Sequence, residues 1–247
     1  MKNILSILVT VLILTLLLLS LKPVSAAYAT TITWSGINWK ISNWAGSSDA
    51  MPGFVFDPCN VTKDSSGRLV LTLVKVGNVW KGAEISTPYT RSFGTYYVQV
   101  YSSLGTLPPS AVFGFFIYKG WQYDGTNEID IEYSQWGNSS ANNWNYTVYP
   151  ASSSGVKSSK TFGFSTAWST THSFVWSQKS VYFQSSTGLK TPPFGTPFTS
   201  WKYAPINYLR DIPQTPIPLL INLWAHKTAK MGSATKYVVV LSKVVTP

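Results

Sequence analysis

The sequence predicts an all-β fold, a sandwich of two antiparallel sheets. Apolar side chains beyond residue 26 alternate in short runs, and the period of a helix persists nowhere. Turn residues (Gly, Pro, Asn, Asp, Ser) separate these runs at short intervals, which indicates two layered sheets. The 247 residues include 11 Trp, 14 Tyr and 12 Phe but are only 11% charged. Most of those rings must pack a β core, while Ser, Thr, Asn and Gly cover the surface.

Segment 30–41, with Trp34 and Trp39, alternates in short pieces and forms the N-terminal strand region. A Gly-, Ser- and Pro-rich loop is expected over 43–56, followed by a glycosylation sequon, Asn60-Val61-Thr62, in a second loop. Asp64-Ser65-Ser66-Gly67 is a turn, and 68–75 is a strand with Leu69, Leu71 and Leu73 on one face. Segment 82–86 precedes a break at Pro88, and 93–101 is the next strand. After a Pro-rich loop over 104–110, segment 111–118 puts Phe113, Phe115 and Ile117 on one face and Val112, Gly114, Phe116 and Tyr118 on the other. A glycine inside a strand marks the close approach of another group. Segment 143–149 alternates, with Asn143 and Asn145 sharing a face, and 151–160 is expected as a Ser/Gly loop. Two strands over 172–176 and 181–184, a loop-heavy proline-rich stretch over 190–218, and strands at 219–224 and 236–245 complete the chain. No internal repeat or linker divides it, so 27–247 is expected to be one domain.

The first 26 residues are set apart. Met1-Lys2-Asn3 is positive, 4–21 is almost wholly apolar, and Val24-Ser25-Ala26 offers a small-residue cleavage site. This is the pattern of a secretory signal peptide. An uncleaved anchor stays open, because an apolar run of about 18 residues is just long enough to span a bilayer. The expected location is extracellular, with association to the cell surface open, no membrane partner after cleavage, and a monomeric state. Cys59 is the single cysteine, so no intrachain disulfide forms, and it is expected to be a buried small residue. The net charge of +10 is scattered, with no basic run. That argues against nucleic acid and fits adhesion to an acidic wall or an anionic polysaccharide. His172 and His226 are far apart and lack a paired carboxylate motif, so no transition metal is expected; a structural calcium held by backbone oxygens stays open.

The chemistry concentrates in Glu128-Ile129-Asp130-Ile131-Glu132. As a strand this segment puts three carboxylates on one face and two isoleucines on the other. The chain holds nine acidic residues, and three of them lie in these five positions. Carboxylates so close, in a partly buried place, cannot all ionise, so at least one pKa rises. Glycosidic bond cleavage uses such a split: one carboxyl stays protonated as general acid, another stays ionised as nucleophile. Positions i and i+4 of a strand lie ~13 Å apart at Cα. A retaining pair needs carboxyls about 5–5.5 Å apart, so the strand must curve.

Residues expected to line a sugar groove follow from shared faces. Asn222 and Trp224 lie opposite the core-facing Ile221 and Leu223. Phe116 and Tyr118 lie on the face that Gly114 opens. Trp136 either caps the groove or pins a turn, and Glu84 is the one further acid expected there outside 124–132. Asn138 and Asn145 both begin sequons, and a glycan on Asn145 would block substrate, so Asn145 is expected to be unglycosylated.

Several of these residues together resemble family 16 glycoside hydrolases. Glu128-Ile-Asp-Ile-Glu132 matches that family's E-x-D-x-E signature. Gly82-Ala-Glu84, Phe115-Phe-Ile-Tyr118, Asn145, His172-Ser-Phe174-Val-Trp176 and Ile221-Asn-Leu-Trp224 resemble its other landmarks in order, from about residue 60 to the end. The resemblance implies a β-jelly roll with a concave glycan cleft, into which Asn143 and Asn145 would point. It also implies a retaining mechanism with Glu128 as nucleophile, Glu132 as acid/base and Asp130 assisting. The spacing without an extra residue before Glu132 is similar to the lichenase and xyloglucan-modifying branch. Ser86, where lichenases carry a sugar-binding Arg, departs from the pattern and leaves the glycan open. A secreted endo-β-glucanase, a transglycosylase and a non-catalytic carbohydrate-binding protein are the functions in contention.

Overall fold

A computed structural model describes residues 30–45, 53–165, 167–227 and 230–247. The expected signal peptide lies outside the described residues. The strands are β1 (Thr31–Trp34), β2 (Ile37–Ile41), β3 (Trp44–Ala45), β4 (Val55–Phe56), β5 (Val61–Lys63), β6 (Leu69–Val76), β7 (Val79–Ser86), β8 (Gly94–Val100) and β9 (Ala111–Tyr118). They continue as β10 (Glu128–Tyr133), β11 (Trp144–Tyr149), β12 (Ser158–Phe162), β13 (Thr170–Trp176), β14 (Val181–Thr187), β15 (Thr199–Tyr203), β16 (Leu219–Ala225) and β17 (Lys236–Val245). A one-turn helix, α1 (Tyr208–Asp211), follows β15.

The strands form a curved, nearly closed sandwich, the jelly-roll arrangement. One layer runs β1-β2-β7-β16-β9-β10-β11-β12 and the other β5-β6-β17-β8-β13-β14-β15, antiparallel throughout. Strand β7 joins them: its start pairs with β6 and its end with β16. The transfer passes through Gly82, where a Cβ would collide with the Leu223 carbonyl and the Phe54 ring. Only a residue without a side chain lets one strand serve both layers there.

Alternation decides what is buried. Leu69, Leu71 and Leu73 of β6, Phe113, Phe115 and Ile117 of β9, and Ile129 and Ile131 of β10 are all essentially inaccessible, as are Ile221 and Leu223 of β16. A polar chain crosses this core. Thr170 Oγ1 meets His172 Nε2 at 2.8 Å, His172 Nδ1 meets Ser185 Oγ at 2.8 Å, and Ser185 Oγ meets Tyr146 OH at 2.6 Å. It ties β13 and β14 of one layer to β11 of the other. Burial lowers the His172 pKa to about 3, so the ring is neutral and acts as a structural link.

Four expectations need correction. The stretch 151–160 is not all loop, because β12 pairs with β11. The stretch 43–56 is not all loop, because β3 pairs with β4, whereas 190–218 is loop-heavy as expected, around β15 and α1. Cys59 is exposed, following the N-cap Asp57 whose carboxylate its backbone N–H meets. Asn60 is buried, and its amide donates to the Gly82 carbonyl at 3.1 Å, so that sequon is closed to a glycan.

Candidate active site

The face of the β7-β16-β9-β10-β11 sheet turned away from the core carries three cross-strand rows. Asn145, Glu132, Gly114, Asn222 and Glu84 are register partners in the first, and Thr147, Asp130, Phe116, Leu220 and Ser86 in the second. Tyr149, Glu128 and Tyr118 form the third. Trp224 pairs with Val112 one step beyond the first row. Cross-strand partners in antiparallel sheets share a face, so β10 aims its three carboxylates together at this side.

Asp130 is 3% exposed, and Glu128 and Glu132 are partly exposed. The other acids of the described residues divide cleanly. Asp57, Asp64 and Asp211 sit in ion pairs with Lys81, Arg68 and Arg210 at 2.8, 2.6 and 2.8 Å. Among the described residues, the acids without an ion pair are Glu84, Asp124 and the three of β10. Burial raises Glu128 to about 8, with the charge of Glu132 adding to it. Burial, then the charges of Glu128 and Glu132, hold Asp130 well above the usual carboxylate range. Burial pushes Glu132 up to about 7, against the pull of Lys157. A hydrogen bond joins Asp130 to Glu128, favouring a protonated Asp130 that donates to an ionised Glu128. The second oxygen, Asp130 Oδ1, is buried without a partner. The group of three therefore retains protons near neutrality, which is the condition for simultaneous acid and base work.

Glu84 is 7% exposed and also raised by burial. It accepts from Ser42 Oγ at 2.8 Å, from Asn222 Nδ2 at 3.3 Å and from Trp44. The other end of the Asn222 amide lies over Gly114, where a Cβ would be 2.6 Å from Asn222 Oδ1. That oxygen is buried and unpartnered. Gly114 is thus required so that Asn222 can lean across β9 toward Glu132.

The expected aromatic residues divide along the face. Phe116 and Tyr118 are half-buried in the second and third rows. The Tyr118 pKa is raised to about 12 by burial and by Asp124, Glu128 and Glu84. Trp136 is 37% exposed with φ of +53°, and its ring centroid lies 6.3 Å from that of Trp224 and 5.4 Å from that of His226. It both makes the turn and offers a ring at the end of the row. Asn145 Nδ2 donates to Ser134 O at 3.0 Å, and Ser134 Oγ accepts from Trp136 N at 3.0 Å, so Asn145 braces this turn.

Asn143 does not join the rows. Its amide donates to Tyr133 OH at 3.3 Å and Phe164 O at 3.0 Å, and its oxygen accepts from Phe164 N at 3.1 Å. It lies just before β11 and lines a separate depression of about 350 Å³ with Tyr133 and Phe164. Sequence reasoning also missed contributors. Ser42 and Trp44 reach Glu84 from another part of the chain. Lys157 Nζ donates to Tyr149 OH at 3.1 Å and lies 4.5 Å over its ring, beside Glu128. Among the described residues no group of three or more His, Cys, Asp or Glu side chains is placed to hold a metal ion.

No family model matches the chain, and no curated protein does. Solved structures do. The Bacillus licheniformis β-glucanase matches with a TM-score of 0.61 at 20% identity, covering 90% of this chain and 94% of that one. A family 16 glycosyl hydrolase from Mycobacterium smegmatis gives 0.63 at 19%, covering 90% and 94%. A lichenase from a mouse hindgut metagenome gives 0.58 at 17%, covering 83% and 90%. Over nearly its whole described length, the chain has the fold of the family 16 glycoside hydrolases.

Proposed function

We propose that this protein is a family 16 member and a secreted, retaining endo-β-glycanase acting on a β-glucan or related polysaccharide. The observation that carries the proposal is the row of three carboxylates on β10, largely withdrawn from water and away from any ion pair. Such an arrangement weakens a fold, and its chemistry offsets that. Glu128 attacks the anomeric carbon while Glu132 gives its proton to the departing glycosidic oxygen. The C–O bond to the leaving sugar breaks as the bond to Glu128 forms. Glu132, now ionised, takes a proton from water, whose oxygen displaces Glu128 and restores both groups. Asp130 supports the Glu128 anion by donating to it and weakens that bond as the ester forms.

The free site holds Glu128 at about 8 and Glu132 at about 7, the reverse of the order these roles need. The roles rest on the Asp130 hydrogen bond, which is directional. A sugar covering Glu132 also removes the water that stabilises its anion. Asn222, Glu84, Phe116, Tyr118, Trp136 and Trp224 would then bind the glycan on the β9-β16-β7 side of β10, with Asn145 holding the turn that presents Trp136.

The test is reducing-sugar release from a polysaccharide panel (mixed-linkage glucan, xyloglucan, a sulfated galactan), with Glu128→Gln as control. Release by the natural protein and not by the folded variant is expected. Binding without release would assign a carbohydrate-binding role, and longer products from a defined oligosaccharide would assign a transglycosylase.

A further inference from the structure

We infer that the end of the molecule formed by α1 and the loops around it is a peripheral docking site for an anionic lipid surface. Ile206 is 96% exposed, Leu209 61% and Val156 58%. They belong to one surface. Ala151 N donates to Arg210 O at 2.9 Å, and Val156 N donates to Asp211 Oδ1 at 3.1 Å, so the 151–157 loop is fastened to α1. Asp211, 4% exposed, also holds the Arg210 guanidinium at 2.8 Å. Tyr208 packs on the core, while Leu209 is turned out beside Ile206. Residues Ile206 to Arg210 line a shallow depression of about 330 Å³. The aliphatic tip is therefore held by a buried carboxylate and is not a frayed loop.

Two lysines flank it. Lys179 Nζ lies 5.4 Å from the Tyr208 ring, on the turn whose Gln178 carbonyl accepts from Gln214. Lys202 is exposed on β15, four residues before Ile206. The acids nearest in sequence do not cancel this charge, because Asp211 is paired with Arg210. Aliphatic side chains flanked by Lys179 and Lys202 match a bilayer interface, where the tip enters the acyl boundary and the lysines meet anionic headgroups. A second copy of the chain would bring the same lysines against one another. A soluble polyanion would use the lysines but has no apolar phase for Ile206 and Leu209. A glycan would be met by flat rings, as on the acidic face, and not by Ile and Leu. The sequence expectation of no membrane partner considered spanning segments. The described residues contain no helix long and apolar enough to cross a membrane, and a peripheral tip needs none.

The test is co-sedimentation of protein recovered from the medium of a secreting host with phosphatidylcholine vesicles, with and without phosphatidylglycerol. Wild type and two variants, Ile206→Ser/Leu209→Ser and Lys179→Gln/Lys202→Gln, carry the same N-terminus, so any contribution of that segment is common to all. Binding to phosphatidylglycerol vesicles is expected, falling at least about tenfold in each variant and weakening at high salt in the wild type. Both variants keep the wild-type melting temperature and β-glycanase activity. Three results would each overturn the inference: equal vesicle binding by all forms, binding to heparin that is insensitive to Ile206→Ser/Leu209→Ser in place of vesicle binding, or a dimer in light scattering that the aliphatic variant disperses.

Discussion

Replacing Glu132 by Gln should make the protein more stable, and only above the acid range. A carboxyl whose folded pKa exceeds its unfolded value binds its proton more tightly when folded. Its stability is fully present below the unfolded value and is lost as pH rises through the folded one. For Glu132 that window runs from 4.5 to about 7. At 1.36 kcal/mol per pKa unit the loss across it is about 3 kcal/mol. Gln keeps the shape and cannot ionise, so the variant should escape the loss. It also frees Glu128 from the charge of Glu132, the second of the causes that raise it. For a domain of this size, 1 kcal/mol moves Tm by roughly 2–4 °C. Calorimetry of both proteins from pH 4 to 8.5 should show coincident melting at the acid end and a gap of roughly 6–12 °C in favour of the variant at the alkaline end. Parallel curves, or a variant that is less stable throughout, would refute the claim that Glu132 is held protonated by burial.

Gly114→Ala should destabilise by about 1–3 kcal/mol, because the new Cβ displaces the Asn222 amide and strains its bond to Glu84; urea unfolding reads this, and an unchanged midpoint would mean Asn222 does not lean across β9. Trp224→Ala should raise KM several-fold with a smaller change in kcat, since about 1 kcal/mol of ring contact is roughly fivefold; steady-state kinetics on the preferred glucan separate the two. Expressed in a glycosylating host, the protein should carry sugar at Asn138, which is exposed, and not at Asn60 or Asn145, whose amides donate to Gly82 and Ser134; peptide mass spectrometry after glycosidase treatment decides it.

The parts legible in the sequence are those where one physical signal dominates. Strand β10 was readable because acids are scarce in this chain and three alternate with isoleucines. Strands β6 and β9 were readable because one face of each is wholly apolar. Strand β12 was not, because Ser158, Ser159, Lys160 and Thr161 make an exposed edge with no burial pattern to betray it. Strand β15 was hidden among prolines, and its pairing with β14 is a long-range fact. Asn143 shows the limit of alternation: a two-residue period holds only inside the ladder, and Asn143 precedes β11, where its amide serves the loop at Phe164. The Ser42 and Trp44 contacts to Glu84, and the place of Lys157 above Tyr149, come from the path of the chain through space. The transfer of β7 between layers at Gly82 also lies beyond local pattern.

The central claim is that Glu128 forms a covalent bond to the sugar while Glu132 supplies and recovers the proton. A β-glucan oligosaccharide with a 2-fluoro substituent and an activated leaving group slows breakdown of that intermediate, and peptide mass spectrometry then locates it. The account predicts one adduct, on the peptide carrying Glu128, absent in Glu128→Gln. Turnover of natural substrate with no adduct, or an adduct on any other residue, would contradict it.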